Sequence, residues 1–519
     1  MQQINEMEEK FEDWRGREAI PDKHGGIKAA SIACVVEMME NMVFLAYSTN
    51  FITYFKKSMH YSSAEASNMV TNFTGTSFLL TIFGGFIADS FLTRFTAFVL
   101  FCSIELLGLI LLTLQAHNPN LQPHGDNTPS TLQSAVLFTG LYAVATGVGG
   151  VKASLPAHGG DQLDSRKQSL ISGFFNWYYF CICFGGLLAV TIMVWIEENK
   201  GWSSSFDITT VVLASALVIF ATGFPMYRFK RPTGSPLTRI VNVLVSVARN
   251  RNRFVTDAEM TQSHNSTDKT IHYNKFKFLN KAKLNKKISA TEIEETRTFL
   301  ALQPIFASTI VMNCCLAQLS TFSIQQGMLM NRKLSHSFEV PAASLHAIAL
   351  LFMLSSIAFY ELFEKKISLS NMNERSASFN LKRIGAGLAL TSLSMAIAAI
   401  VEVKRKHEAV HNNLRISVFW LEIQYVLLSF SDLLTLGGML EFFYRESPAS
   451  MRSISTALGW CSTALGFFLS TVLVDVIKSG TGWLSGKDLN ESRLELFYVV
   501  LCVLNTLNLF NYIFWAKRF

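Results

Sequence analysis

Charge is scarce in this 519-residue chain: Asp, Glu, Lys and Arg together make up 16% of it, against about 25% in ordinary soluble domains. Disorder needs low hydrophobicity and high charge, and half of these residues are apolar, so a disordered chain is excluded. With only 30 glycines and 11 prolines, a collagen or low-complexity fibre is excluded as well. Cysteine is sparse. Cys34, Cys102, Cys181, Cys183, Cys314, Cys315, Cys461 and Cys502 all fall in apolar stretches, and none has zinc-ligand spacing with histidine. They read as small buried apolar residues rather than a disulfide framework. No Ser-His-Asp spacing, Walker loop or GxGxxG occurs in a credible context, and His158 and His346 read as polar boundary residues without metal-like partners. An enzyme, a metal site and a bound cofactor are therefore not expected.

What the chain has is apolar length. Phe alone counts 42, and the mean hydropathy is +0.29. Twelve runs reach the roughly 20 residues a helix needs to cross the hydrocarbon core of a bilayer: 28–55, 68–88, 95–115, 134–152, 170–196, 208–228, 298–322, 343–363, 383–402, 416–440, 455–477 and 494–515. Backbone groups in lipid must be satisfied internally, so these runs predict helices and an all-α membrane protein. The first 25 or so residues are polar and mixed in charge, unlike a cleavable signal peptide, so the first span is expected to act as a signal anchor.

An even number of spans puts both termini on one side. If that side is cytosolic, 33 of the 45 Lys and Arg fall on it and twelve lie opposite, the bias expected of cytosolic loops. Four of those twelve lie in a 402–415 loop, an exception to the bias. Residues 228–289 hold 14 basic and three acidic side chains, a net of +11 that exceeds the +7 of the whole chain. Membrane-flanking basic loops account for this better than nucleic-acid binding. The segment starts with apolar residues at helical spacing on a basic background, which predicts an amphipathic helix at the membrane interface. The predicted organisation is a cytosolic segment 1–27, a six-helix bundle 28–228, a cytosolic linker 229–297, a second six-helix bundle 298–515 and a tail 516–519. Two six-span halves suggest a transporter built from related repeats.

Ionisable residues within spans are costly and mark function by default. Glu37 and Glu40 lie three apart and share a helix face. Two neighbouring carboxylates in low dielectric resist joint ionisation, which suits proton coupling. Lys152, in GVGGVK, is placed either to neutralise them or to snorkel from a helix end. Asp432 is the deeper acid of the tenth span and Glu422 the shallower, while Glu105 and Asp475 read as helix-packing partners. Gln318, Gln325 and Gln326 offer either neutral hydrogen bonds to a ligand or interhelical glue. Pro304 should kink the seventh span. Asn490-Glu491-Ser492 is a candidate glycosylation sequon on the predicted outer side.

Several segments in order resemble the proton-dependent oligopeptide transporter family of the major facilitator superfamily, and more narrowly its plant nitrate/peptide branch. GGFIADSFLTRF resembles the superfamily's gating motif, with Gly85, Asp89 and Arg94 in place. GVGGVK, SGFFNWYYFCICFGG, LQPIF, AQLSTFSIQQG and QYVLLSFSDLLTLGGMLEFFYRESPASMRS, the last carrying Glu441 and Pro448, resemble the blocks of the fourth, fifth, seventh and tenth spans. Runs such as HGGIKAAS and VTNFTGTSFLLTIFGG look most like the fourth subfamily of the plant branch.

The resemblance implies the superfamily fold, with twelve transmembrane helices in two six-helix halves. It also implies alternating access at a plasma membrane and proton-coupled import of small organic acids such as the hormones abscisic acid and gibberellin. On this reading Glu37, Glu40, Lys152 and Asp432 couple protons. Lys152, Phe44, Gln318, Gln326 and Asp432 meet the substrate, and Gly85, Asp89, Arg94 and Pro304 serve the gate. The chain departs from the family pattern at four points. Asn41 stands where Arg or Lys usually follows the second glutamate, and Phe44 and Leu45 replace two tyrosines. Leu316 aligns with a histidine of a nitrate-carrying relative, and Asp432 replaces a glutamate. The alternatives are a nitrate or peptide carrier of the same fold and a non-transporting membrane receptor.

Overall fold

Serine followed three residues later by Glu or Gln starts three of the long helices. Ser62 with Glu65, Ser130 with Gln133 and Ser289 with Glu292 each form a reciprocal capping box. Each satisfies orphan backbone donors at a helix start. The computed structural model describes residues 11–20, 23–123, 128–164, 168–232, 234, 236–250, 276–285, 288–335, 338–367, 377–446, 452–484 and 489–518. It has twelve helical spans long and apolar enough to cross a membrane. In chain order the first six are Gly26–Lys57, Ser63–Ala88, Arg94–His117, Thr131–Asp161, Gly173–Asn199 and Trp202–Met226; the last six are Ala290–Leu329, Ala342–Phe359, Asn380–His411, Val418–Met439, Ala457–Thr481 and Leu494–Ala516. Large apolar side chains such as Leu107, Val211, Ile400 and Phe510 stand exposed along them, as a lipid-facing surface requires.

All twelve expected spans are present, and two run well past their predicted ends. The fourth continues nine residues beyond Lys152, and the ninth nine beyond Glu402. In both places a charge read as a helix end is neutralised inside the protein. Three of the four basic residues of the 402–415 stretch have partners: Arg405 is 2% exposed and pairs with Glu402, Lys404 stands over the Trp420 ring, and Lys406 binds the Ser492 carbonyl. The seventh span is continuous across Pro304; its break lies at Ala317–Ser320, a tight turn ending at Thr321.

Glycine brings the first-half helices to backbone contact. A Cβ on Gly150 would overlap the Phe101 ring, one on Gly147 the main chain of Glu105, and one on Gly149 that of Leu80. Small residues allow such approaches between membrane helices. They seat the fourth span against the second and third, with Lys152 aimed at the first.

Across the two halves, the second span packs on the eleventh and the fifth on the eighth. At the ends distal to the termini the halves are hydrogen-bonded. Asn68 donates to Asp475 (2.7 Å), Lys56 reaches Gln325 (3.5 Å), and Arg332 pairs with Glu198 (3.4 Å).

At the opposite end, Phe11–Glu12 pairs antiparallel with Phe229–Lys230. Arg228 covers the Phe11 ring and donates to the Asp161 and Leu163 carbonyls. The expected amphipathic helix is Pro236–Arg249. It buries Val243 beside Leu279 and Ile293, the latter in the first turn of the seventh span, and leaves Val241, Leu244 and Val245 exposed. Residues 251–275 lie outside the described residues, as does Pro448.

Overpacking a tight helix contact costs about 1–3 kcal/mol or more. Gly150→Val should therefore lower the unfolding temperature of detergent-solubilised protein. Gly85→Ala, whose added carbon would meet only Ala153 at 3.8 Å, should leave it nearly unchanged.

Candidate functional site

Helical spacing places Glu37, Glu40 and Asn41 on one face of the first span, and that face is buried. Lys152 points into it. Its ammonium donates to Glu37 Oε1 at 2.8 Å, Glu40 Oε2 at 2.5 Å and Asn41 Oδ1 at 3.0 Å. A lysine ammonium has three donors, so all are engaged. Lys152 is 4% exposed and nine residues from the end of its helix, which decides against snorkelling.

The fifth span completes the cluster. Tyr178 donates to Glu37 Oε2 at 2.5 Å, and Asn41 Nδ2 donates to the Ile182 carbonyl at 2.8 Å. Asn41 thus stands where the resemblance expects a cation, yet serves as a neutral ligand to the Lys152 ammonium. The remaining oxygen of Glu40 is buried and has no hydrogen-bond partner among the described residues. With both glutamates ionised the group carries a net charge of −1, and a single proton makes it neutral.

One turn on, the Phe44 ring lies 5.9 Å from the Lys152 ammonium. Phe44 meets Phe78 edge to face at 5.5 Å, and Phe78 stacks on Trp460 at 5.1 Å. Trp460 belongs to the eleventh span, so an apolar aromatic wall runs from the charged cluster to the other half. Tyr178 lay within a block quoted for its resemblance, but its hydroxyl partner could not be read there. Trp460 carried no signal at all, because its contact joins residues 382 positions apart.

Asp432 is half-buried, within electrostatic reach of Tyr179 and Cys183 on the fifth span. It makes no hydrogen bond among the described residues and is not brought to the Lys152 cluster. Gln318 and Gln326 are fully buried and hold protein. Gln318 donates to the Cys314 carbonyl and Ser470, both at 3.0 Å. Gln326 donates to Glu402 at 2.6 Å and accepts from Tyr498 at 2.8 Å. The reading of these two as ligand donors gives way to interhelical glue. Asn490, the sequon residue, accepts from Arg405 at 2.8 Å.

At the gating motif Arg94 pairs with Asp161 at 2.5 Å and donates to the Ala157 carbonyl at 3.3 Å, tying the start of the third span to the end of the fourth. In the second half Arg383 donates to the Leu433 carbonyl at 3.1 Å, tying the ninth span to the tenth in the same manner. The side chains of Asp89 and Glu441 lie outside the described residues. His158 is not a boundary residue. It is 2% exposed, boxed by Phe95, Phe220 and Tyr227, because its helix continues past it.

Removing one partner of a buried ion pair costs about 3–5 kcal/mol by stranding the other charge. Lys152→Ala should lower the unfolding temperature sharply, and the double variant Lys152→Ala/Glu40→Gln should recover part of the loss. Thermal melts of the double-mutant cycle measure the coupling.

The sequence model of the POT family matches residues 95–488. Two Arabidopsis thaliana proteins, Protein NRT1/ PTR FAMILY 4.1 and Protein NRT1/ PTR FAMILY 4.2, are 78% and 69% identical to this chain. The alignments cover 99% of this chain in both cases, and 99% and 100% of those proteins. Among solved structures, an auto inhibited POT family peptide transporter aligns over 95% of this chain and 97% of its own, with a TM-score of 0.71 at 18% identity. A POT family transporter in complex with 5-aminolevulinic acid aligns over 94% and 98%, with a TM-score of 0.65 at 16% identity.

Proposed function

The chain belongs to the POT family, and on that premise we propose that it is a proton-coupled importer of small organic acids, with abscisic acid and gibberellin as the first candidates. The observation that carries the reading is the saturation of Lys152 by two carboxylates and one amide beside an apolar wall. An anion can join this ammonium only by displacing a partner. A proton on Glu40 releases Oε2 from the lysine at little electrostatic cost, since the proton cancels the charge the ammonium had balanced. The freed donor then takes the substrate carboxylate. Phe44 and the rings behind it cover an apolar ring system, where a zwitterionic peptide would leave polar ends unpaired.

In this scheme Glu37, held by Tyr178, stays as the fixed partner of Lys152, and Glu40 is the exchanging carrier. Asp432, half-buried at the junction with the fifth span, is a second carrier from the other half. Asp89 and Arg94 hold the cytosolic gate, with the termini cytosolic and the distal hydrogen bonds on the outer side of a plasma membrane.

Uptake of radiolabelled abscisic acid in oocytes should rise as external pH falls, and Glu40→Gln should flatten that dependence. Uptake flat with pH in the wild type would sink the coupling. The names of the relatives keep nitrate and peptides in play, so displacement of the labelled hormone by nitrate or a dipeptide would move the assignment to them. Binding without accumulation in sealed vesicles would make the protein a receptor.

A further inference from the structure

We propose that Glu105 is a third proton-binding carboxyl group of the first-half cluster. Glu105 packs against Gly147 of the fourth span, as a helix-packing residue should, yet that contact uses its main chain and Cβ and leaves the carboxylate over. It is completely buried, and neither of its carboxylate oxygens has a hydrogen-bond partner among the described residues. The unpartnered Oε1 of Glu40 is buried too. These three orphan oxygens belong to two side chains within electrostatic reach of one another.

The charged and titratable surroundings of Glu105 are Glu37, Glu40 and Tyr47 on the first span, Lys152 on the fourth and Cys102 on its own helix. They contain one cation against three carboxylates. Ionised together, the three would leave a buried net charge of −2, and uncompensated charge in a protein interior costs several kcal/mol per ion. Nor can the group withdraw easily, because the third span is locked to the fourth where Gly147 meets the Glu105 main chain. A proton bound by Glu105 lowers the net charge and turns one of its two orphan oxygens into a hydroxyl donor. Glu105 then supplies the proton that Glu40 needs when it lets go of Lys152. That consequence rests on the proton coupling proposed above, whereas proton binding at Glu105 does not.

The test is infrared difference spectroscopy of the purified full-length protein in lipid nanodiscs, titrated with pH in the absence of substrate. The expected result is a titrating carboxylic-acid carbonyl band that is lost in Glu105→Gln and shifted in Glu40→Gln. Should Glu105→Gln fail to fold, Glu105→Asp, which keeps the acid, should move the band rather than abolish it. Titrating bands unchanged by either Glu105 substitution would overturn the proposal. So would a band that ignores pH and responds to Na⁺, which would make the site a metal-cation site. Abscisic acid uptake by the same preparation in proteoliposomes is the separate arm. If it shows no acid stimulation, the proposed transport coupling fails while the infrared result still decides Glu105.

Discussion

Placing an ammonium group in the middle of an apolar helical bundle is tolerable only if every one of its donors has an acceptor close by and its charge is answered. Much of the first half follows from meeting that condition for Lys152. The first span supplies all three acceptors from one face, a fit that requires the 37, 40, 41 spacing. The fourth span can bring the lysine to them because three of its glycines accept neighbouring helices at backbone distance. The fifth span orients two of the acceptors, through a tyrosine hydroxyl on Glu37 and a main-chain carbonyl under Asn41. A cation at position 41 would compete with Lys152 for the same carboxylates; an amide instead adds an acceptor.

The second half solves the same problem differently. Glu402 and Arg405 sit three apart on one helix and pair bidentately, at 2.7 and 2.8 Å, with Gln326 and Asn490 taking up further hydrogen bonds. A pair carried on one helix travels with that helix whatever the bundle does. The Lys152 pairs join different helices, so a change in their charge alters the forces between elements. The Glu402–Arg405 pair lies within one helix, whereas the Lys152 pairs cross from the fourth span to the first.

The spans were legible because hydropathy integrates over about 20 residues and needs no knowledge of partners. The same was true of Glu37, Glu40 and Lys152 as costly residues. What could not be read was anything settled by contact between distant segments. Lys152 could be read either as the counter-ion of the glutamates or as a snorkelling helix end, because the chain alone gives no sign that its charge is met. Gln318 and Gln326 were compatible with ligand or glue until Ser470, Glu402 and Tyr498 were seen to claim them. Pro304 promised a kink, but the span is interrupted further on, at Ala317–Ser320, a stretch without proline.

The small ribbon formed by Phe11–Glu12 and Phe229–Lys230 has a mechanical meaning. It fastens the beginning of the linker to the first bundle, while the helix Pro236–Arg249 is fastened to the second by Val243 and Ile293. The connection between the two bodies is thus not a slack tether of some 70 residues but the five residues 231–235. Six Cα-to-Cα steps separate Lys230 from Pro236, which at about 3.3–3.6 Å each gives a reach of about 20 Å. That figure is a leash length. It caps how far the ribbon on the first bundle and the helix on the second can part while both attachments hold.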